Sequence, residues 1–285
     1  MIDQENNESN ANETNPAPVS ARRRDVAVKL SPGGVISGSF AIYLNYFLKF
    51  TAIGLLVYSP LAILRMTAEG ETLALLAVLL GFLMPQVLMA AIISGVFRHL
   101  KGEKAGIGDC ISTALSRLLP VLGTFLLMGF VILLISIIPL ILVAVIASAT
   151  SESLRVPLTY LAMIPGAWVY CALYAAIPAV VAEKSGIGNS FRRSQILTRG
   201  NRMRIFLILL ALNIFAILLQ MVAGAVLSYD NADALGRLNS VEGFIMFFIQ
   251  LIPGVLLAVA AALVFFNLKV IVEGADEKEL ASVFD

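Results

Sequence analysis

Residues 118–151 read LLPVLGTFLLMGFVILLISIIPLILVAVIASATS, bounded by Arg117 and Glu152 with no charge between them. A bilayer is crossed by ~20 apolar residues in a helix. This stretch is therefore long for one crossing and short for two. It reads as a single spanning helix, with Pro120 in its first turn and a kink near Pro139.

Working outward, the same rule finds uncharged windows at 72–97, 156–182, 205–229 and 243–268. A shorter one, 50–64, reaches spanning length if Lys49 snorkels to the headgroups and the helix begins near Asn45. Six transmembrane helices result. The composition agrees: of 285 residues 59% are hydrophobic and 14% charged, too few charges to cover a soluble protein of this size. One His and two Cys leave little for a His/Cys metal site, a His-based triad or a disulfide framework. The fold class is an all-α polytopic membrane protein.

Net charge is +1, yet the basic residues are sorted. Arg22, Arg23, Arg24 and Lys29 precede the first span, and Arg98, Lys101, Lys104 and Arg117 lie between the second and third. Lys184, Arg192, Arg193, Arg199, Arg202 and Arg204 lie between the fourth and fifth, and Lys269 and Lys278 come after the sixth. Only Arg65, Arg155 and Arg237 fall on the other side, where Glu69, Glu71, Glu152, Asp230, Asp233 and Glu242 also lie. The positive-inside rule then puts both termini in the cytoplasm. Residues 1–30 read as a disordered cytoplasmic tail with no cleaved signal peptide, because their Asn, Glu, Ser and Pro cannot bury enough apolar surface. Residues 31–285 read as one integral-membrane helical domain.

An internal repeat organises that domain. Glu103-Lys-Ala-Gly-Ile-Gly-Asp-Cys110 recurs as Glu183-Lys-Ser-Gly-Ile-Gly-Asn-Ser190. Each copy leaves a span and opens a segment of helical period, with Ile107, Ile111, Leu115 and Leu118 on one face of the first. The glycines suit a sharp turn, and Asp109 or Asn189 is placed to cap the next helix. This predicts short amphipathic helices lying in the cytoplasmic interface. Two spans separate the copies, so the repeat is parallel, with interfacial helix, span, span as its unit. A first interfacial helix is expected within 35–48, and a last segment around Leu280, Val283 and Phe284.

The run 182–206, with Glu183, Arg193-Ser194, Leu197-Thr198-Arg199-Gly200-Asn201-Arg202 and Ile205-Phe206, resembles the signature of the glycerophosphoryl diester phosphodiesterase membrane-domain family. It is similar too to the YciC-type uncharacterised bacterial inner-membrane proteins. Ser39-Phe40, Tyr43, Asn45, residues 107–120, Pro165-Gly166, Glu273-Gly274, Leu280 and Phe284 fit the same pattern, so the resemblance spans roughly 35–285. It implies a bacterial inner membrane. It does not bring the hydrolase activity, which in that family belongs to a separate catalytic barrel using His, Glu, Asp and a divalent metal. His99 is the only His here. The chain is expected to be noncatalytic and to use no cofactor.

Candidate sites are few. Arg192 and Arg199, seven apart and so on one helical face, with Arg193, Arg202 and Arg204 nearby, present forks suited to anionic headgroups. Ordinary positive-inside anchoring explains the same charges. Glu183 and Glu103, beside Lys184 and Lys104, suit ion pairs or helix-to-loop hydrogen bonds. Gln86, Asn213, Gln220, Gln250 and Asn267 are the polar members of the spans, with no acid at mid-membrane, which weighs against a proton- or cation-coupled transporter. Interhelical hydrogen bonds are the expectation for these amides. Pro60, Pro85, Pro139, Pro165-Gly166 and Pro253-Gly254 are placed to kink helices, and Gly254, Ala258 and Ala262 make a small-residue face. No nucleic-acid partner is expected, since the cations flank spans. The leading reading is a module organising membrane lipid, anionic lipid above all, or a partner protein or second copy of itself, at the cytoplasmic face. The alternative is a transporter or lipid-translocating protein with a cavity between the repeats.

Overall fold

The structure, a computed structural model, describes residues 29–67, 71–103, 106–148, 152–227 and 241–274. Residues 1–28 of the expected tail, Lys104, Arg237, and the segment with Lys278, Leu280 and Phe284 lie outside the described residues.

Every described element is an α-helix. The chain runs through α1 (Pro32–Asn45), α2 (Phe47–Thr67), α3 (Glu71–Leu100), α4 (Ile107–Ser116) and α5 (Leu118–Ser148). It continues through α6 (Glu152–Leu173), α7 (Ala176–Ala182), α8 (Ile187–Thr198), α9 (Arg202–Leu227) and α10 (Val241–Glu273). Six stretches are long and apolar enough to cross a membrane: Phe47–Leu64, Leu75–Leu100, Leu118–Ile146, Pro157–Ala182, Arg202–Val226 and Phe244–Glu273. The protein is a multi-pass membrane protein, and residues 118–148 form one continuous helix through Pro139.

The elements fall into three units of a short helix and two spans: α1-α2-α3, α4-α5-α6/α7 and α8-α9-α10. Each short helix starts from an extended residue that exposes the first amides: Ser31, whose Oγ accepts from the Gly34 N–H at 3.3 Å, then Gly106 and Gly186. Asp109 and Asn189 do not cap. Asp109 sits inside the first turn of α4, where its charge complements the helix dipole. The units also divide the bundle into layers. The second spans of the last two units form the inside: about half the residues of Pro157–Ala182 and of Phe244–Glu273 are buried, whereas Leu118–Ile146 buries few. In lipid no hydrophobic force drives helices together, so the inner layer is the one that can pack closely. α10 does so through Ala258, Ala260, Ala261 and Ala262, all buried.

The prolines placed to kink helices do not end them. Helices α2, α3, α5 and α10 continue through Pro60, Pro85, Pro139 and Pro253, and α6 through Pro157 and Pro165. The break comes instead at Tyr174 and Ala175, between α6 and α7. Pro178 explains it, because its ring nitrogen cannot bond the Tyr174 carbonyl four residues back and its ring crowds it. The span amides also depart from expectation, since Asn213 and Asn267 donate to the carbonyls of Leu209 and Leu263 in their own helices, each at 2.8 Å.

Close contact between α2 and α10 depends on Gly54. A Cβ there would fall 1.9 Å from Leu251 Cδ2 and 3.2 Å from its Cγ. Gly54→Ala is expected to cost ~1–3 kcal/mol by overpacking. Gly54→Ala/Leu251→Ala should lose less than the sum of the two single changes, as thermal unfolding in detergent would show. Strict additivity would mean the two residues do not meet.

Candidate functional site

The arginine-rich run folds into α8, a turn, and the start of α9. Gly200 permits that turn by adopting φ +82°. Arg192 lies exposed on α8, whereas Arg199 is the C-cap, with ψ 126°, and no longer shares a helical face with it. Arg202 begins α9, and Arg204 lies in the same turn.

Two of the five arginines are committed to holding the fold. Arg193 faces Glu183 in a two-pronged pair, Nε donating to Oε2 at 3.0 Å and Nη2 to Oε1 at 2.9 Å, and Nη2 also meets Glu273. Lys269 Nζ donates to the same Glu183 Oε1 at 3.0 Å and lies 4.0 Å from Glu273 Oε2. Two cations and two carboxylates thus close a neutral quartet joining the end of α7, α8 and the last turn of α10. Burial works to lower the Arg193 guanidinium, but hydrogen bonds and charges from Glu183 and Glu273 outweigh it and hold the group above its ordinary value. Glu183 does form the ion pair its position suggests, with Arg193 and Lys269 as the partners shown. Lys269 is a buried member of α10, 2% exposed, and not the flanking cation that charge spacing implies.

Arg204 is the second committed arginine. Its Nη1 donates to the Leu30 carbonyl at 2.7 Å, while the Leu30 N–H donates to Asn201 Oδ1 at 3.3 Å. These bonds strap the lead-in to α1 onto the α8–α9 turn. The serine and threonine of the run are equally engaged. Ser194 Oγ accepts from the Ala175 N–H at 3.1 Å and donates to the Ala172 carbonyl at 2.9 Å. Thr198 Oγ1 donates to that same carbonyl at 3.0 Å. The face of α8 turned to the bundle is therefore polar, and it satisfies backbone groups at the break that Pro178 causes. Arg192, Arg199 and Arg202 have no hydrogen bond or ion pair among the described residues.

Other residues of the same end are assembled around the first copy. α4 buries Cys110 and Ala114 and leaves Ile107 and Leu115 exposed, so only Ile111 and Leu118 of its apolar stripe pack inward. Both cysteines are free and buried, and burial pushes the Cys110 thiol above its ordinary value despite the pull of Arg98. The lone histidine, His99, has its Nδ1 2.9 Å from the Tyr46 phenol. Arg98 lies 3.8 Å from Glu103 and 4.0 Å from Asp109.

Beside these residues opens a cleft of about 490 Å³, lined by Ser94, Arg98, Lys101, Glu103, Thr113, Ser116, Arg117 and Lys184 among others. Along the sequence its cations are topology signals, scattered over loops. The one signal that could join them is the repeat, which places Glu103 and Lys184 at matching turns. A second cavity, about 200 Å³, lies within the bundle against Tyr58, Gln86, Tyr170 and Tyr174, and the buried Gln86 Oε1 has no hydrogen-bond partner among the described residues. Among the described residues no group of three or more His, Cys, Asp or Glu side chains is placed to hold a metal ion. Against known proteins, no family model, no curated protein and no solved structure matches this chain.

Proposed function

We propose that this chain is a noncatalytic inner-membrane protein that organises anionic lipid, or a partner protein, at a cytoplasmic face made by its interfacial helices. In this reading it is a relative of the phosphodiesterase membrane-domain family, without the catalytic barrel, as its 182–206 run suggests. The observation that carries the reading is the division of labour among the arginines. Arg193 and Arg204 are neutralised or strapped, while Arg192, Arg199 and Arg202 keep their charge unpaired among the described residues. Arg202 even opens α9, where the positive end of the helix dipole disfavours a cation. Helix stability does not account for that placement, and an anionic headgroup layer does, at ~1 kcal/mol per basic residue near the surface.

The full chain reconstituted in phosphatidylcholine vesicles with spin-labelled phosphatidylglycerol tests this. Replacing Arg192, Arg199 and Arg202 together by Gln should lower the preference for the anionic probe by about tenfold or more. An unchanged preference would sink the proposal. The alternative, transport through a cavity between the repeats, draws no support from the cavity at Gln86, which is about 200 Å³ and mostly apolar.

A further inference from the structure

We infer that the cleft between the two repeat copies is a binding site for a phosphate group, of the monoester kind carried by phosphatidic acid. The inference deepens the lipid reading but uses none of its three arginines. The cleft is walled by the end of α3 and the turn after it, by α4 and its cap Arg117, and by the end of α7. Two of its cations, Arg117 and Lys184, have no carboxylate partner among the described residues, while Arg98 makes long ion pairs with Glu103 and Asp109 at 3.8 and 4.0 Å. A phosphate monoester carries about −1.5 to −2 charge at neutral pH, which two unpaired cations match, whereas a diester carries less. Ser94, which is buried, also lines the cleft, as do Thr113 and Ser116, whose hydroxyls donate to the Asp109 and Thr113 carbonyls of their own helix.

Depth and surroundings point to a lipid. Ser94 lies about 9 Å along the helix from the end of α3, so the cleft stops at headgroup depth. Leu115 and Leu119, next to its lining residues, are exposed apolar side chains that acyl chains would cover.

The backbone at Lys184 is an independent pointer. In the first copy the turn after α3 uses Gly102 at φ +78°, with its N–H bonded to the His99 carbonyl and that of Glu103 to the Arg98 carbonyl, a common helix ending. After α7 the left-handed position, φ +52°, is filled by Lys184, where a side chain is disfavoured. Glycine would serve the turn better. Lysine there places a cation in the cleft instead, the kind of strain expected of a functional position.

The substitution Lys184→Gly therefore separates binding from folding. The full chain is reconstituted in phosphatidylcholine vesicles containing spin-labelled phosphatidic acid, and the immobilised fraction is measured together with the thermal midpoint. Arg117→Gln and Lys184→Gly should each reduce the immobilised fraction about fivefold, the midpoint of Lys184→Gly being unchanged or raised. Lys49→Gln, which removes a cation from the same end outside the cleft, should leave the fraction at the wild-type level. No immobilisation beyond that of phosphatidylcholine in the wild type, or wild-type immobilisation in both cleft variants, overturns the site. Inorganic phosphate added in solution identifies the source: displacement of the probe upholds a site that takes free phosphate, and resistance upholds one that takes the lipid. Failure of the general lipid reading would show differently, as an unchanged phosphatidylglycerol preference in the Arg192, Arg199 and Arg202 variant.

Discussion

Glu183→Gln should lower the unfolding free energy by ~3–5 kcal/mol, the usual cost of removing one partner from a buried ion pair. Lys269 is the reason. It is 2% exposed, and among the described residues its nearest carboxylate is Glu183 Oε1 at 3.0 Å, with Glu273 as far as 4.0 Å. Glutamine keeps the shape of Glu183 but removes the charge, leaving Glu273 as the carboxylate beside Lys269 and Arg193 among the described residues. At the end of a span, water and headgroups reach Glu183 only partly, at 18% exposure, so screening does not rescue the pair. Removing both charges is a different matter. Glu183→Leu/Lys269→Met should recover most of the loss, because an apolar pair has nothing left to desolvate. Arg192→Gln, which changes an exposed side chain with no partner among the described residues, should stay within ~0.5 kcal/mol of wild type. Thermal or denaturant unfolding in detergent gives all of these values. A loss below ~1 kcal/mol for Glu183→Gln would place the quartet among solvated surface pairs.

Ser194→Ala is the second large effect, expected at ~2–3 kcal/mol, because the hydroxyl serves two backbone groups together. The Ala175 N–H donates to it and it donates to the Ala172 carbonyl, all buried at the α6–α7 break. Alanine leaves the amide without a partner where no water is expected to replace it. Thr198→Val should cost less, because the Ala172 carbonyl keeps its bond from Ser194. The test of cause is Pro178→Ala. It restores an N–H four residues after Tyr174, lets α6 and α7 approach a continuous helix, and should soften the effect of Ser194→Ala. Amide hydrogen exchange at Ala175 reads this directly. Exchange as slow in Ser194→Ala as in wild type would mean that another group satisfies the break.

These two sites explain why the arginine-rich run misleads when read as a sequence. Its chemistry, Glu183, Arg193, Ser194, Thr198, Asn201 and Arg204, is spent largely on fastening five helices, α6 to α10, and the lead-in to α1. Spacing along one helix gives which residues share a face, but not which of them finds a carboxylate 80 residues away in Glu273. Arg199 shows the same limit, since a periodicity argument carries it one residue past the real helix end at Thr198. From charge alone, Lys269 is a residue outside the membrane. Its partner Glu183 lies on another span, so its burial is invisible until the two are brought together.

The sequence by itself determined the arrangement of spans and the repeating unit. Hydrophobic length and the sorting of cations act locally, residue by residue against the bilayer, and need no knowledge of neighbours. The short helices at 107–116 and 187–198 are legible for the same reason, through local period and glycine turns, and the one at 32–45 through extension of the repeat. Only the tertiary structure decided the rest. It put the fourth and sixth spans inside, broke the fourth at Pro178, paired Arg193 and Lys269 with Glu183 and Glu273, and gathered Arg98, Arg117 and Lys184 around one cleft. Those outcomes depend on which helix faces which, and packing in lipid turns on close fit and polar pairing between segments far apart in the chain.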